Sequence, residues 1–144
     1  ITTCYLANGN KQGMVYTCEG AAAIAAIAQN NFEVLQVTNI TLTKGNFANT
    51  LQPLLNQAGK IDLAFIDGNH RRQPTIDYFL QLLRFTHEQS ILIFDDIHWS
   101  KEMEEAWHFI QQHQAVTLSI DLFFIGLVFV NPDFKVKQHF TIRF

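Results

Sequence analysis

The chain has 144 residues, of which 48% are hydrophobic and 16% are charged, and its net charge is −3. This length suits one domain with one sizeable core, and the composition excludes a disordered chain. The slightly acidic balance speaks against a nucleic-acid partner, and we expect no membrane span because no apolar run is long enough. The two cysteines, Cys4 and Cys18, form no metal or redox motif, which favours a reduced, cytoplasmic setting.

The predicted elements alternate along the chain between helices and short apolar strands. Residues 1–7 are predicted as the end of a helix, and four strands, each followed by a helix, are predicted at 13–18, 35–43, 61–67 and 90–95. Pro53 is expected either to begin or to kink the helix predicted at about 48–58. The last three β segments are predicted at 116–120, 124–130 and 136–144, and the first two of them are linked too closely for a parallel crossover.

This order of elements predicts an α/β fold over residues 1–144, treated as one domain. The expected architecture is a doubly wound, Rossmann-like and mostly parallel sheet, with helices on both faces and an antiparallel C-terminal strand. The strand-rich C-terminal part and the 13 phenylalanines allow a homodimer, but a single large core explains them equally well.

Two of the predicted strands end in acidic residues. The run 61–66 leads into Asp67, and the run 90–94 leads into Asp95 and Asp96. Both strands are expected to be buried on both faces, as central parallel strands are. Ligands bind outside the carboxyl ends of such strands, so three carboxylates are expected in one crevice. They suit a divalent ion such as Mg²⁺ or a general base, while capping of the local turns is an equally good explanation.

Single residues near the strand ends give weaker signals. His70 and His98 could each act as a general base or a ligand, although a loop histidine bonded to a neighbour is more common. Glu19 follows a short strand and could accept hydrogen bonds from two ribose hydroxyls, as the acid of nucleotide-binding βαβ units does. A solvated or helix-capping glutamate is the more common alternative for Glu19.

Four segments, taken in order, resemble a known family. They are ITTCYLA at 1–7, VYTCEG at 15–20, FIDGNH at 65–70 and FDDIHW at 94–99. Together they are similar to class I S-adenosylmethionine-dependent methyltransferases, and most of all to the small O-methyltransferase-like branch. The resemblance covers nearly the whole chain. It implies that S-adenosylmethionine is the cofactor and that a methyl group moves to a small-molecule acceptor, through an oxygen nucleophile.

The resemblance also implies a cofactor site. Glu19, with Gly20 beside it, falls where the family's acid binds the ribose hydroxyls. Asn46 and Phe47 fall where the loop after the family's third strand reaches the adenine. The family's first strand and its Gly-rich loop are not found, because the chain begins immediately after them. An N-terminal segment is therefore expected to be missing, and its place in the sheet would be taken by a partner chain or by residues outside this sequence.

The catalytic residues implied by the resemblance are Asp67 and His70. Asp67 matches the acid after the family's fourth strand, near the methyl group of the cofactor and the substrate. In catechol-type enzymes that acid and an Asp-Asn pair hold a divalent ion, which points here to Asp67, Asp95 and Asp96 as metal ligands. The family's lysine shortly after the fourth-strand acid is not evident here, and His70 and Arg71 occupy that part of the sequence.

Two other classes of function fit parts of the sequence. The chain could be a truncated or degenerate methyltransferase-fold module that serves in binding or assembly without catalysis. A phosphoacceptor receiver domain also gathers aspartates at strand ends, but its acidic pair follows the first strand, whereas the pair here comes late in the chain.

Overall fold

The computed structural model describes residues 2–143 of the chain. Its contacts group the chain into two compact units, Ile1–Ala58 and Gly59–Phe144. The single domain expected over residues 1–144 stays a prediction. Within residues 2–143, no helix has the length and apolar character needed to span a membrane.

The first unit is a short parallel β ribbon with three helices. Its elements are α1 (Thr2–Gly9), β1 (Val15–Glu19), α2 (Ala22–Val34), β2 (Ile40–Lys44) and α3 (Phe47–Ala58). Strands β1 and β2 are parallel, and their register places Glu19 opposite Lys44. Helix α3 begins at Phe47 and continues through Pro53. The helix therefore tolerates the loss of the backbone hydrogen bond that proline removes. It buries Leu54 and Leu55, the two residues that follow Pro53.

The second unit contains a five-stranded sheet. Its elements are β3 (Leu63–Ile66), α4 (Arg72–Leu83), β4 (Ile91–Asp95), α5 (Lys101–Gln112), β5 (Leu118–Asp121), β6 (Ile125–Phe129) and β7 (Gln138–Thr141). The strand order is β3-β4-β6-β5-β7. Strands β3 and β4 are parallel, β6 is antiparallel to both β4 and β5, and β7 runs parallel to β5. The predicted α/β class is confirmed; the antiparallel strand is β6, and the last strand of the chain is parallel to its neighbour.

The core of the second unit lies between the sheet and the paired helices α4 and α5, as the contacts of Phe79 with Phe94 and of Trp107 with Gly126 show. Its largest fully buried side chains include Phe79, Phe94, Leu92 and Ile110. The prediction that the strands at 61–67 and 90–95 are buried on both faces is wrong. Strand β3 lies at the end of the sheet with Leu63 44% exposed, and β4 alternates buried with half-buried residues.

Candidate active site

The carboxyl ends of β3 and β4 bring Asp67, His70 and Asp96 together. Asp67 is the first residue after β3 and Asp96 the first after β4, and Ile66 lies opposite Phe94 in the parallel register. His70 Nε2 lies 3.5 Å from Asp67 Oδ1 and 3.8 Å from Asp96 Oδ2. The imidazole of His70, with 29% of its side chain exposed, thus stands between two carboxylates within reach of solvent.

Both loops at this edge contain a residue in the left-handed backbone region. Asn69 has a φ of 58° and Asp96 a φ of 55°. Asn and Asp tolerate this conformation better than other side chains with a Cβ, but it still costs free energy. Asn69 Nδ2 also donates to the Tyr78 hydroxyl at 3.3 Å, which attaches the first loop to α4. Such strain occurs preferentially at functional sites, where the surrounding structure holds it in place.

Asp95 is the last residue of β4 and has a perturbed acidity. Burial raises the pKa of Asp95 above its ordinary value, and the Asp67 carboxylate adds to this effect. The backbone N–H of Asp96 donates to Asp95 Oδ1 at 3.1 Å, which opposes the shift only in part. Crowded carboxylates with a raised pKa are characteristic of sites that bind or transfer charged groups.

Asp67, Asp95 and Asp96, the predicted metal ligands, have the carboxylate oxygens that a divalent ion such as Mg²⁺ prefers. Among residues 2–143, however, no group of three His, Cys, Asp or Glu side chains is arranged to hold an ion. The His70 imidazole lies between Asp67 and Asp96, so the two carboxylates do not converge on one empty point. The metal ligands remain a prediction.

In the first unit, Glu19 and Gly20 lie where β1 ends. Glu19 Oε1 accepts a hydrogen bond from the Ala21 N–H at 2.8 Å, so one carboxylate oxygen is bonded within the turn that leads into α2. The other oxygen accepts no hydrogen bond from residues 2–143. A Cβ at Gly20 would lie 3.9 Å from the Gly45 carbonyl oxygen, and the Gly45 N–H donates to the Glu19 carbonyl at 2.9 Å. The loops after β1 and β2 therefore approach closely at Gly20 and Gly45.

Asn46 and Phe47 follow β2 at the same edge of the parallel ribbon. Asn46 Oδ1 accepts a hydrogen bond from the Ala48 N–H at 2.9 Å, which stabilises the start of α3. Asn46 is exposed, and Phe47, the first residue of α3, is half-buried. The predicted ribose and adenine residues are thus neighbours at one strand edge, as the βαβ arrangement requires.

Sequence reasoning missed one residue at the edge of the second sheet, Asp121. It is the last residue of β5, it is buried, and its Oδ2 lies 2.8 Å from His98 Nε2. An acid that ends a predicted strand was a usable signal, as it was for Asp95. No local pattern predicts that β6 pairs with β4, and this pairing brings the end of β5 to the edge that holds Asp67 and Asp96.

A family model described as a methyltransferase domain matches residues 1–97 of the chain. The chain belongs to this family of methyltransferase domains. The matched region contains Glu19, Asn46, His70 and the Asp95–Asp96 pair. The predicted methyltransferase family is therefore confirmed. A search of curated proteins gives no match.

Solved structures with the same fold include several methyltransferases. An O-methyltransferase from Bacillus cereus in complex with S-adenosylhomocysteine is 22% identical, with a TM-score of 0.73 over 89% of this chain and 68% of that one. Cofactor-bound Rv0187 from MTB is 21% identical, with a TM-score of 0.79 over 90% and 67%. The O-methyltransferase TomG from Streptomyces achromogenes, in complex with S-adenosylmethionine, is 18% identical, with a TM-score of 0.72 over 88% and 66%. These similarities confirm the Rossmann-like fold.

Proposed function

We propose that this methyltransferase domain transfers a methyl group from S-adenosylmethionine to a hydroxyl oxygen of a small molecule, with His70 as the general base. The observation that carries the proposal is the position of the His70 imidazole between Asp67 and Asp96 at the carboxyl ends of two parallel strands. Ligands of open α/β sheets bind at this edge, so His70 lies where an acceptor would be presented.

The chemistry requires a proton to leave the acceptor as its oxygen attacks the methyl carbon. When bound, S-adenosylmethionine supplies a methyl group on a sulfonium sulfur, and the carbon–sulfur bond breaks with its electron pair remaining on sulfur. His70 accepts the hydroxyl proton at a ring nitrogen. Asp67 and Asp96 then lie beside an imidazolium, and their negative charges stabilise it. We thus assign Asp67 to the catalytic site beside His70, where its negative charge stabilises the imidazolium.

The first unit supports the choice of cofactor. Glu19 retains one carboxylate oxygen that no residue among 2–143 uses, which suits a ribose hydroxyl as donor. Gly20 is exposed and has no side chain to keep a ligand from its backbone. We assign Asn46 and Phe47 to the adenine because they follow β2, the strand that lies beside β1 in the parallel ribbon. The cofactors in the Bacillus cereus and TomG structures are the product and substrate forms that this proposal requires.

The test is methyl transfer by the full-length protein to a panel of phenols, sugars and other hydroxylated small molecules. Release of S-adenosylhomocysteine and the mass of the product are measured together. His70→Ala should lower kcat by about 10²–10⁴-fold, the usual contribution of a general base. His87→Ala is the matched control, because His87 also pairs with a carboxylate, at 2.9 Å from Asp62, but lies at the opposite ends of the strands. Methylation of no hydroxyl acceptor, or an unchanged kcat in His70→Ala, would contradict the proposal.

A further inference from the structure

A buried carboxylate joins three segments of the second unit near the proposed base. Asp121 is 6% exposed and accepts hydrogen bonds from His98 Nε2 at 2.8 Å, Arg143 Nη1 at 2.9 Å and the Phe123 N–H at 2.8 Å. Burial by itself raises the pKa of Asp121, but these donors outweigh it and hold the pKa below its ordinary value. Asp121 therefore stays ionised and ties the β4–α5 turn, the β5–β6 turn and the segment after β7 together.

Ring contacts strengthen the same connection. The His98 ring stacks on Phe123 with centroids 5.6 Å apart and planes inclined by 27°. The Arg143 guanidinium carbon lies 5.4 Å from the centroid of the Phe123 ring. The second imidazole nitrogen, His98 Nδ1, lies 3.4 Å from Glu104 Oε1 of α5. We call His98, Asp121, Phe123 and Arg143 the Asp121 clamp.

The clamp holds a strained turn. Residues 96–100 connect β4 to α5, and the turn starts with Asp96 at a φ of 55°. Phe123, on the other side of the clamp, has a φ of 74°. Two backbone hydrogen bonds secure the turn, from the Ile97 N–H to the Phe124 carbonyl at 3.3 Å and from the Trp99 N–H to the Asp96 carbonyl at 2.9 Å. Residues with a left-handed backbone conformation persist only where their surroundings hold them. The clamp contacts this turn through the His98 side chain.

We propose that His98 and Asp121 are positioning residues that keep the Asp96 carboxylate facing His70. Asp96 Oδ2 lies 3.8 Å from His70 Nε2, so a small displacement of the turn would remove this charge from the base. The assignment rests on the proposed role of His70. Arg143 and the Phe123 N–H already give buried Asp121 two donors without His98. Both of these donors bind Oδ1, so His98 is the donor to Oδ2 among the described residues, and it links this buried oxygen directly to the turn.

The test compares His98→Phe, which keeps a ring against Phe123 but loses both nitrogens, with His98→Gln, which keeps one amide donor for Asp121. His98→Phe should lower kcat by about 10–100-fold with little change in KM for S-adenosylmethionine, because a misplacement of about 1 Å can cost this much. His98→Gln should recover most of the rate. His87→Phe removes an imidazole–carboxylate contact of similar length, 2.9 Å, at the other end of the strands and should leave kcat unchanged.

A double-mutant cycle separates positioning from general stability. If His98 acts through Asp96, adding His98→Phe to Asp96→Asn should cost almost no further kcat. Additive losses, or a His98→Phe enzyme with wild-type kcat, would overturn the assignment while leaving the proposed methyl transfer intact. If the wild-type protein transfers no methyl group, the proposed function fails, and amide hydrogen exchange then tests the clamp. Ile97 and Trp99 should exchange at least about tenfold faster in His98→Phe than in wild type or His87→Phe, and equal rates would refute the clamp.

Discussion

Gly126 allows the sheet of the second unit to pack against α5, and replacing it with alanine should destabilise the protein. A Cβ at Gly126 would lie 2.6 Å from Trp107 Cη2, 2.7 Å from Trp107 Cζ3 and 3.1 Å from Ile97 Cγ2. Ordinary contact begins at 3.4 Å, so the indole would have to move by about 0.8 Å. Trp107 is only 4% exposed and Ile97 only 1%, so neither has free space to move into.

Overpacking of this kind costs about 1–3 kcal/mol. For a chain of this size, that corresponds to a Tm lower by about 3–10 °C, measured by calorimetry or by circular dichroism during heating. Gly9→Ala is the control, since no atom lies within 4 Å of its added Cβ, and its Tm should not fall. In a Trp107→Phe background, which removes both clashing indole atoms, Gly126→Ala should cost much less. A Gly126→Ala protein melting within about 1 °C of wild type would refute the packing argument.

Three further predictions concern stability and its dependence on pH. Ser100→Ala removes the side chain that caps α5 and should cost about 1 kcal/mol in urea unfolding, whereas Ser100→Asp should not. Asp95→Asn should raise the Tm at neutral pH, because burial and the Asp67 charge raise the Asp95 pKa and so make its ionised form costly. The gain in Tm should shrink as the pH falls towards about 4, and a Tm equal to that of wild type at neutral pH would contradict the crowding of Asp95 and Asp67. Burial lowers the pKa of both His113 and His139, so the unfolded chain binds more protons and stability should fall as the pH drops below about 6.5. In thermal melts that fall should be smaller in His139→Gln; an unchanged fall would contradict it.

Much of the fold could be predicted from the sequence because its signals are local. The apolar runs located β3 and β4. Serine is a residue type that commonly begins helices, and the Ser100 side chain does accept a hydrogen bond from the Met103 N–H at the start of α5. The degree of burial could not be predicted, because an apolar run does not reveal whether its strand lies inside or at the end of a sheet. Pro53 shows the same limit, since tertiary packing decides whether a helix tolerates a proline.

For the candidate site, the sequence identified the residues that end parallel strands. Asp67, His70 and Asp96 come together because β3 and β4 are neighbours, which the order of the elements implies. The geometry among them could not be predicted: the imidazole stands between the two carboxylates, where the sequence suggested a metal ion. Asp121 was missed because its contact with His98, 23 residues away in sequence, depends on the pairing of β6 with β4, two strands that no local pattern brings together.

The role of Glu19 can be tested without knowing the acceptor. Glu19→Gln keeps an amide oxygen that can accept the Ala21 N–H hydrogen bond, but it loses the charge offered to the ribose. Glu33→Gln is the control, because this acid lies within α2 and bonds to Gln29. Isothermal titration with S-adenosylhomocysteine in the presence and absence of Mg²⁺ tests the predicted metal ligands: tighter binding with Mg²⁺ would support them, and unchanged affinity would contradict them.

The most direct measurement is isothermal titration of the full-length protein with S-adenosylhomocysteine, beside these two variants. The account predicts binding in the micromolar range, weakened by about 10–100-fold in Glu19→Gln, as expected for the loss of charged hydrogen bonds, and unchanged in Glu33→Gln. Absence of binding by the wild-type protein, or equal affinity in Glu19→Gln, would contradict the proposed use of this cofactor at Glu19.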